Sequence, residues 1–242
     1  PQGCPWDREQ THRSLLNCLL DETYEFFDAV ESGDAEHMRE ELGDLLLQVV
    51  LHAQIASEEG RFTLEDVART IADKIVYRHP HVFGDTKVSS SSEVVRNWEE
   101  LKRQEKGKED RESVLDGVPG SLPALFFAEK VQRRVARVGF DWTEMKPVLD
   151  KVEEEFAEFR QAMEDGDTEH AEEELGDIMF ALVNVARHRR ICAEDALRRT
   201  VHKFMRRFRY VEQALQVRGA SPADSTLEEM DRLWEQSKGE VG

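Results

Sequence analysis

The sequence predicts an all-α protein made of two tandem, duplicated helical modules, each contributing to a four-helix-bundle-like core. Three observations support this: apolar residues recur at helical spacing, strand signals are absent, and one pattern returns 133 positions later without a gap (Glu22 to Glu155, Asp44 to Asp177). The modules are placed at 1–118 and 119–242, with the charged, then Gly/Pro-punctuated stretch 104–123 as the linker between them.

In the first module Leu15, Leu16, Leu19, Leu20, Phe26, Phe27 and Val30 mark a buried face over 10–31. Ser32-Gly33-Asp34 reads as a turn, and 35–58 as a second helix. Its latter half (Leu45, Leu46, Leu47, Val49, Val50, Leu51, Ile55) is apolar almost all round. Such a helix must be covered on several sides, in the centre of a bundle or at a subunit interface. A third helix over 64–78 stops at His79-Pro80, because proline disfavours helical geometry in the residue before it. The scheme then repeats with helices near 123–138, 147–164, 168–189, 193–217 and 226–238, and Trp98 with Lys102 is echoed by Trp234 with Lys238. Phe140-Asp141-Trp142 and Cys4-Pro5-Trp6-Asp7 read as structural entry turns, and His37 and His170 as capping or surface residues.

Composition narrows the function. The formal charge is −18, from 33 basic and 51 acidic residues, which argues against a partner that is a nucleic acid polymer. A nucleotide substrate stays compatible, because bound metal reverses the local field. The three cysteines (Cys4, Cys18, Cys192) are scattered and lack metal-ligand spacing, so a reducing cytoplasm is the expected setting. The longest apolar run, 45–56, is broken by Gln48, His52 and Gln54 and is too short for a bilayer, so no membrane partner is expected. The sequence opens on Pro1, which suggests that a preceding segment is missing.

The chemistry is carried by the acids around each turn. Glu25 and Glu41 stand 8 residues either side of Gly33, and Glu22 and Asp44 stand 11 either side. In an antiparallel helix pair these become two level rungs, roughly 12 and 16 Å below the tip at ~1.5 Å per residue. The i, i+3 spacing puts both members of each pair on one helix face. Glu155, Glu158, Glu174 and Asp177 repeat the arrangement about Gly166. Four converging carboxylates repel one another unless a cation joins them. An all-oxygen set suits Mg²⁺, or Mn²⁺, and not zinc. A di-iron bundle needs a Glu-x-x-His motif on each of two helices, whereas the spaced partners here are Glu and Asp. Lys203, Arg206 and Arg207 on a later helix are candidates for holding phosphate, or else a salt-bridged surface; Trp234 is a candidate to stack on a base, or else a tail anchor.

Several ordered motifs carry a resemblance over essentially the whole chain. They are Gly3-Cys-Pro-Trp-Asp7, the Glu-x-x-Glu and Glu-x-x-Asp sets, Arg78-His-Pro-His-Val-Phe83, Ser121-Leu-Pro-Ala-Leu125, Val138-Gly-Phe-Asp-Trp142 and Lys203-Phe-x-Arg-Arg207. Together they resemble the two-module MazG family of all-α nucleoside triphosphate pyrophosphohydrolases. The resemblance implies Mg²⁺-dependent conversion of nucleoside triphosphates to monophosphate and pyrophosphate, with broad specificity, in a homodimer. By motif, Glu155, Glu158, Glu174 and Asp177 would bind Mg²⁺ and serve catalysis, and Lys151, Lys203, Arg206, Arg207 and Trp234 would contact the nucleotide. The first module keeps Glu22, Glu25, Glu41 and Asp44, while the second has Val201-His202 where relatives often carry an asparagine.

The expected reaction is attack of a metal-held water on the α-phosphorus, with a carboxylate of the Glu155/Glu158 pair taking the proton. The rival readings are a narrower pyrophosphatase for dUTP or a damaged nucleotide, and a non-catalytic module that senses nucleotide or holds a partner. The second module is the expected catalytic one.

Overall fold

The computed structural model describes residues 3–103 and 112–241, which are helical with no strand among them. The chain divides into two compact units, Pro1–Asp110 and Arg111–Gly242.

The first unit contains α1 (Pro5–Glu9), α2 (Leu16–Ser32), α3 (Ala35–Glu58), α4 (Leu64–Arg78), α5 (Pro80–Phe83) and α6 (Ser91–Arg103). The helix expected from residue 10 starts only at Leu16. Thr11 and Ser14 explain the delay: each backbone N–H donates to the other's hydroxyl (2.9 and 3.1 Å), a local turn that competes with helix. Leu15, just before the helix, is fully buried. α2 and α3 form the hairpin predicted from the turn. Gly33 closes α2 in the left-handed region (φ 71°), where a side chain would be strained, and the Asp34 carboxylate caps α3 by accepting from the backbone N–H of Glu36 and His37. Thr63 and Asp66 make a capping box at α4, and Arg78 lies 5.3 Å from the Trp98 ring centre, linking α4 to α6.

One contact of this unit was not legible in the sequence. His12 and His52 have Nδ1 atoms 2.8 Å apart in rings whose planes differ by 4° and whose centres are 5.1 Å apart, so they meet edge to edge. Such a contact holds one proton between the nitrogens and no second one. Burial and then His12 hold His52 below the usual histidine range. An unfolded histidine takes up a proton near pH ~6.5, before folded His52 does, so this contribution is present above that pH and is lost as pH falls below it. The thermal midpoint of His52→Gln should therefore fall less between pH 7.5 and 5 than that of the parent chain.

The second unit contains α7 (Ala124–Ala136), α8 (Met145–Asp165), α9 (Thr168–His188), α10 (Ala193–Val217) and α11 (Leu227–Glu240). α8 and α9 repeat the hairpin, with Gly166 at φ 72° and Asp167 accepting from the His170 N–H. α7 and α10 pack against α9 and each other, giving four helices about one centre, and α11 lies along α10. Val211, Leu215 and Leu233 form a core there, with Trp234 packed against it. Of the linker expected at 104–123, residues 104–111 lie outside the described residues. The part that follows is held on α7 by Arg134, which donates to the carbonyls of Val114 (3.0 Å) and Asp116 (2.6 Å).

The apolar run of α3 is only partly covered within the chain: Leu42, Leu46 and Leu47 are 54%, 61% and 48% exposed. Met179, Phe180 and Leu182 of α9 are likewise exposed.

Candidate metal and nucleotide site

Each hairpin gathers its acids. In the first unit, carboxylate oxygens of Glu22, Glu41 and Asp44 come within 4.8 Å of one another; in the second, those of Glu155, Glu158 and Glu174 do. Glu25 and Asp177 stand outside these closest groups. Their side is nevertheless the same: Glu25 adds to the charge felt by Glu22, and Asp177 lines a cavity together with Glu155. The two sets of four predicted residues are thus assembled around two different triads.

Both triads are electrostatically costly. Burial, then Glu158 and Glu155, push the Glu174 carboxyl above the usual range, against an opposing pull from His170. Burial, then Asp44, Glu25 and Glu41, push Glu22 up. Glu41 and Glu174 are 6% and 8% exposed, and the Oε2 atom of each is buried without a hydrogen bond. Unpartnered buried carboxylate oxygens beside other carboxylates are the donor set a hard divalent cation requires.

The units differ in their counter-charge. Lys151 contacts Glu154 (2.6 Å) and Glu155 (2.8 Å), and these bonds hold its ammonium charged to well above the usual lysine range. The position 133 residues earlier is Cys18, so the first set has no such lysine.

The second unit has a cavity beside its acids. It has a volume of about 570 Å³, with Lys151, Glu155 and Asp177 at one side and Val131, Val135, Phe140, Trp142 and Phe180 among its apolar walls. Gln132 and Asn184, both buried, also line it. Gln132 donates to the Phe180 carbonyl (2.8 Å) and keeps its Oε1 without a partner. Arg187 donates to Asn184 Oδ1 and forks onto Asp141, at 2.9 and 2.5 Å. His188 adds a 3.0 Å contact to Asp141, and Arg187 followed by His188 holds that carboxyl below the usual range. The entry turn at 140–142 is therefore structural, as its sequence suggests, and it also walls the cavity. Positions 133 earlier than Asp141, Asn184 and Arg187 are Arg8, Leu51 and Gln54, so the first unit does not repeat this wall.

The remaining predicted residues lie on α10 and α11, outside the cavity wall. Lys203 and Arg206 are exposed; Arg207 is half-buried, with a buried Nε that lacks a hydrogen bond. Trp234 stacks obliquely on Phe204, ring centres 4.9 Å apart, and packs on the α10 core. Sequence reasoning missed Gln132, Asn184 and Arg187. No local signal marks them, because the segments that join them are 46 to 48 residues apart.

Among the described residues no helix is long and apolar enough to cross a membrane. A family model described as the MazG nucleotide pyrophosphohydrolase domain matches residues 10–83 and 144–211, one stretch in each unit. The nucleoside triphosphate pyrophosphohydrolase of Escherichia coli (strain K12) is 49% identical over 240 residues, covering 98% of this chain and 90% of its own. The nucleoside triphosphate pyrophosphohydrolase/pyrophosphatase MazG of Thermotoga maritima is 43% identical over 239 residues, 99% of this chain and 91% of its own. A crystal structure of a mazG-related protein from Thermotoga maritima aligns with 41% of this chain and 87% of its own, at 32% identity and a TM-score of 0.37.

Proposed function

Because the chain belongs to the MazG nucleotide pyrophosphohydrolase family, we propose that it is an enzyme that hydrolyses nucleoside triphosphates to monophosphate and pyrophosphate. In this reading specificity is broad and the second unit carries the reaction. The observation that supports this most is the continuity of the Glu155/Glu158/Glu174 group, through Lys151 and Asp177, with an apolar cavity. In this reading the phosphates would lie toward the acids and the nucleoside toward the apolar walls, in a volume usual for ligand sites.

The donor set fits Mg²⁺, or Mn²⁺, held by Glu155, Glu158, Glu174 and Asp177. Bound there, the cation would neutralise phosphate charge and make a water more acidic. One carboxylate of the Glu155/Glu158 pair would take the proton of the attacking water. Lys151 faces the cavity and would hold phosphate oxygens once Glu155 is engaged. Lys203 and Arg207, four residues apart on one face of α10, would steady the departing pyrophosphate, with Arg206 and Trp234 beside them. Attack falls on the α-phosphorus, so pyrophosphate leaves. Trp142 and Phe140 would flank the base.

The exposed apolar residues along α3, and separately along α9, support a homodimer, since apolar helix faces left to water commonly mark association surfaces. Sedimentation at micromolar concentration should give twice the chain mass, and Leu46→Glu should lower it. The free cysteines suit a reducing cytoplasm.

The reaction is tested by pyrophosphate release, coupled to inorganic pyrophosphatase, with Mg²⁺ and a panel of triphosphates. Release from several supports the broad enzyme; release from dUTP or a damaged nucleotide alone supports a narrow one. Release from none, with nucleotide still bound, identifies a sensing module.

The metal assignment has a separate consequence. The raised carboxyls of Glu22 and Glu174 mean that the folded protein holds protons more readily than the unfolded chain, so metal-free stability falls as pH rises through their range. A cation replaces those protons. Millimolar Mg²⁺ should therefore raise the thermal midpoint clearly at pH 7.5 and progressively less toward pH 5.

A further inference from the structure

Each buried glutamate on the second helix of a hairpin is approached from outside by a histidine one turn earlier. His37 Nε2 lies 3.1 Å from Glu41 Oε1, and His170 Nδ1 lies 3.5 Å from Glu174 Oε1. Both histidines sit in the first turn of their helix, where Asp34 and Asp167 accept from their backbone N–H groups. Both are about half exposed, whereas the glutamates are nearly fully buried. In each case the contacted oxygen is Oε1, and Oε2 is the atom left buried and without a hydrogen bond.

Ordinary i, i+4 pairs in this protein look different. Arg69–Glu65 and Lys146–Asp150 are exposed at both ends. Glu129 is buried and paired with Arg133, yet it has no buried oxygen lacking a hydrogen bond. Both histidine pairs combine an Oε1 that has a histidine nitrogen within ion-pair distance with an Oε2 that is buried without a hydrogen bond. A carboxylate free to rotate would turn both oxygens toward water or toward a proton; a histidine beside the outer oxygen opposes that rotation and favours keeping the other oxygen buried. Partners that orient metal ligands in this way commonly change metal affinity about 10- to 100-fold.

We propose that His37 and His170 are positioning residues, each fixing the outer oxygen of its glutamate so that the inner one is presented to a divalent cation. This rests on the reading of the acid sets as metal ligands, and it does not require turnover. It also gives a role to two residues whose sequence context suggests only capping or surface exposure.

The test is Mn²⁺ binding to the full chain without nucleotide, by calorimetry and by the electron spin resonance signal of free Mn²⁺. His170→Ala should weaken one class of sites by about tenfold and His37→Ala the other, with metal-free thermal midpoints unchanged. His170→Gln, whose amide N–H can reach the same oxygen, should restore affinity to within about threefold. Unchanged Mn²⁺ binding in His170→Ala overturns the inference, as does equal weakening by Ala and Gln. A parent chain that binds no Mn²⁺ overturns it together with the metal reading. A chain that binds Mn²⁺ as described but releases no pyrophosphate overturns only the proposed reaction.

Discussion

Glu174→Gln and Asp177→Asn should each lower pyrophosphate release by roughly a thousandfold while leaving helicity intact, the scale expected when a charge-stabilising group is lost from a preorganised site. The two residues act from different positions. Glu174 is buried in the triad with Glu155 and Glu158, and Asp177 is exposed on the cavity side one turn on. The thermal midpoint separates this loss from misfolding. Glu174 is pushed up by burial and by neighbouring carboxylates, so removing its charge relieves repulsion. Metal-free Glu174→Gln should melt no lower than the parent chain, and its response to Mg²⁺ should shrink. Functional sites commonly trade stability for activity in this way. The matching change in the first set, Glu41→Gln, should cost far less activity, because no lysine stands beside Glu22 and the cavity-wall residues are not repeated there.

The second large effect concerns stability. Asp141→Ala should destabilise the second unit by about 2–4 kcal/mol in denaturant unfolding, because it strands a guanidinium that is only 11% exposed. The figure stays below that for a fully buried pair because Asp141 itself is 25% exposed. Asp141→Asn, which can still accept one bond from Arg187, should recover part of the loss. The carboxyl is held below its ordinary value by Arg187 and then His188, so its contribution is present above the unfolded carboxyl range and lost as pH falls below about 4. Both variants should also weaken nucleotide binding, since Asp141 and Arg187 line the cavity.

The helices and hairpins were legible because they depend on local periodicity and on residues with one structural use. Gly33 and Gly166 take the left-handed backbone and Asp34 and Asp167 cap the next helix, so each turn could be placed to the residue. Once the tip is fixed, equal counts along two helices bring the acids together. What counting could not supply was side-chain choice. Rungs give levels, yet Glu22 groups with Glu41 and Asp44 in one unit, while Glu155 groups with Glu158 and Glu174 in the other. The cavity was invisible because its wall depends on α7 meeting α9, a contact set by tertiary packing rather than by any motif. His170 and Glu174 are spaced for contact in the sequence, but that spacing is common on helix surfaces; only the burial of the glutamate distinguishes it.

The central claim is that the acids of the second hairpin support cleavage between the α- and β-phosphates of a nucleoside triphosphate. It is tested most directly by running the reaction in ¹⁸O-labelled water with Mg²⁺, for the parent chain and for Glu174→Gln, and locating the label by mass spectrometry. One labelled oxygen is expected in the nucleoside monophosphate, none in pyrophosphate, and almost no product from the variant. Label in pyrophosphate or in released orthophosphate, or equal product from Glu174→Gln, would contradict it.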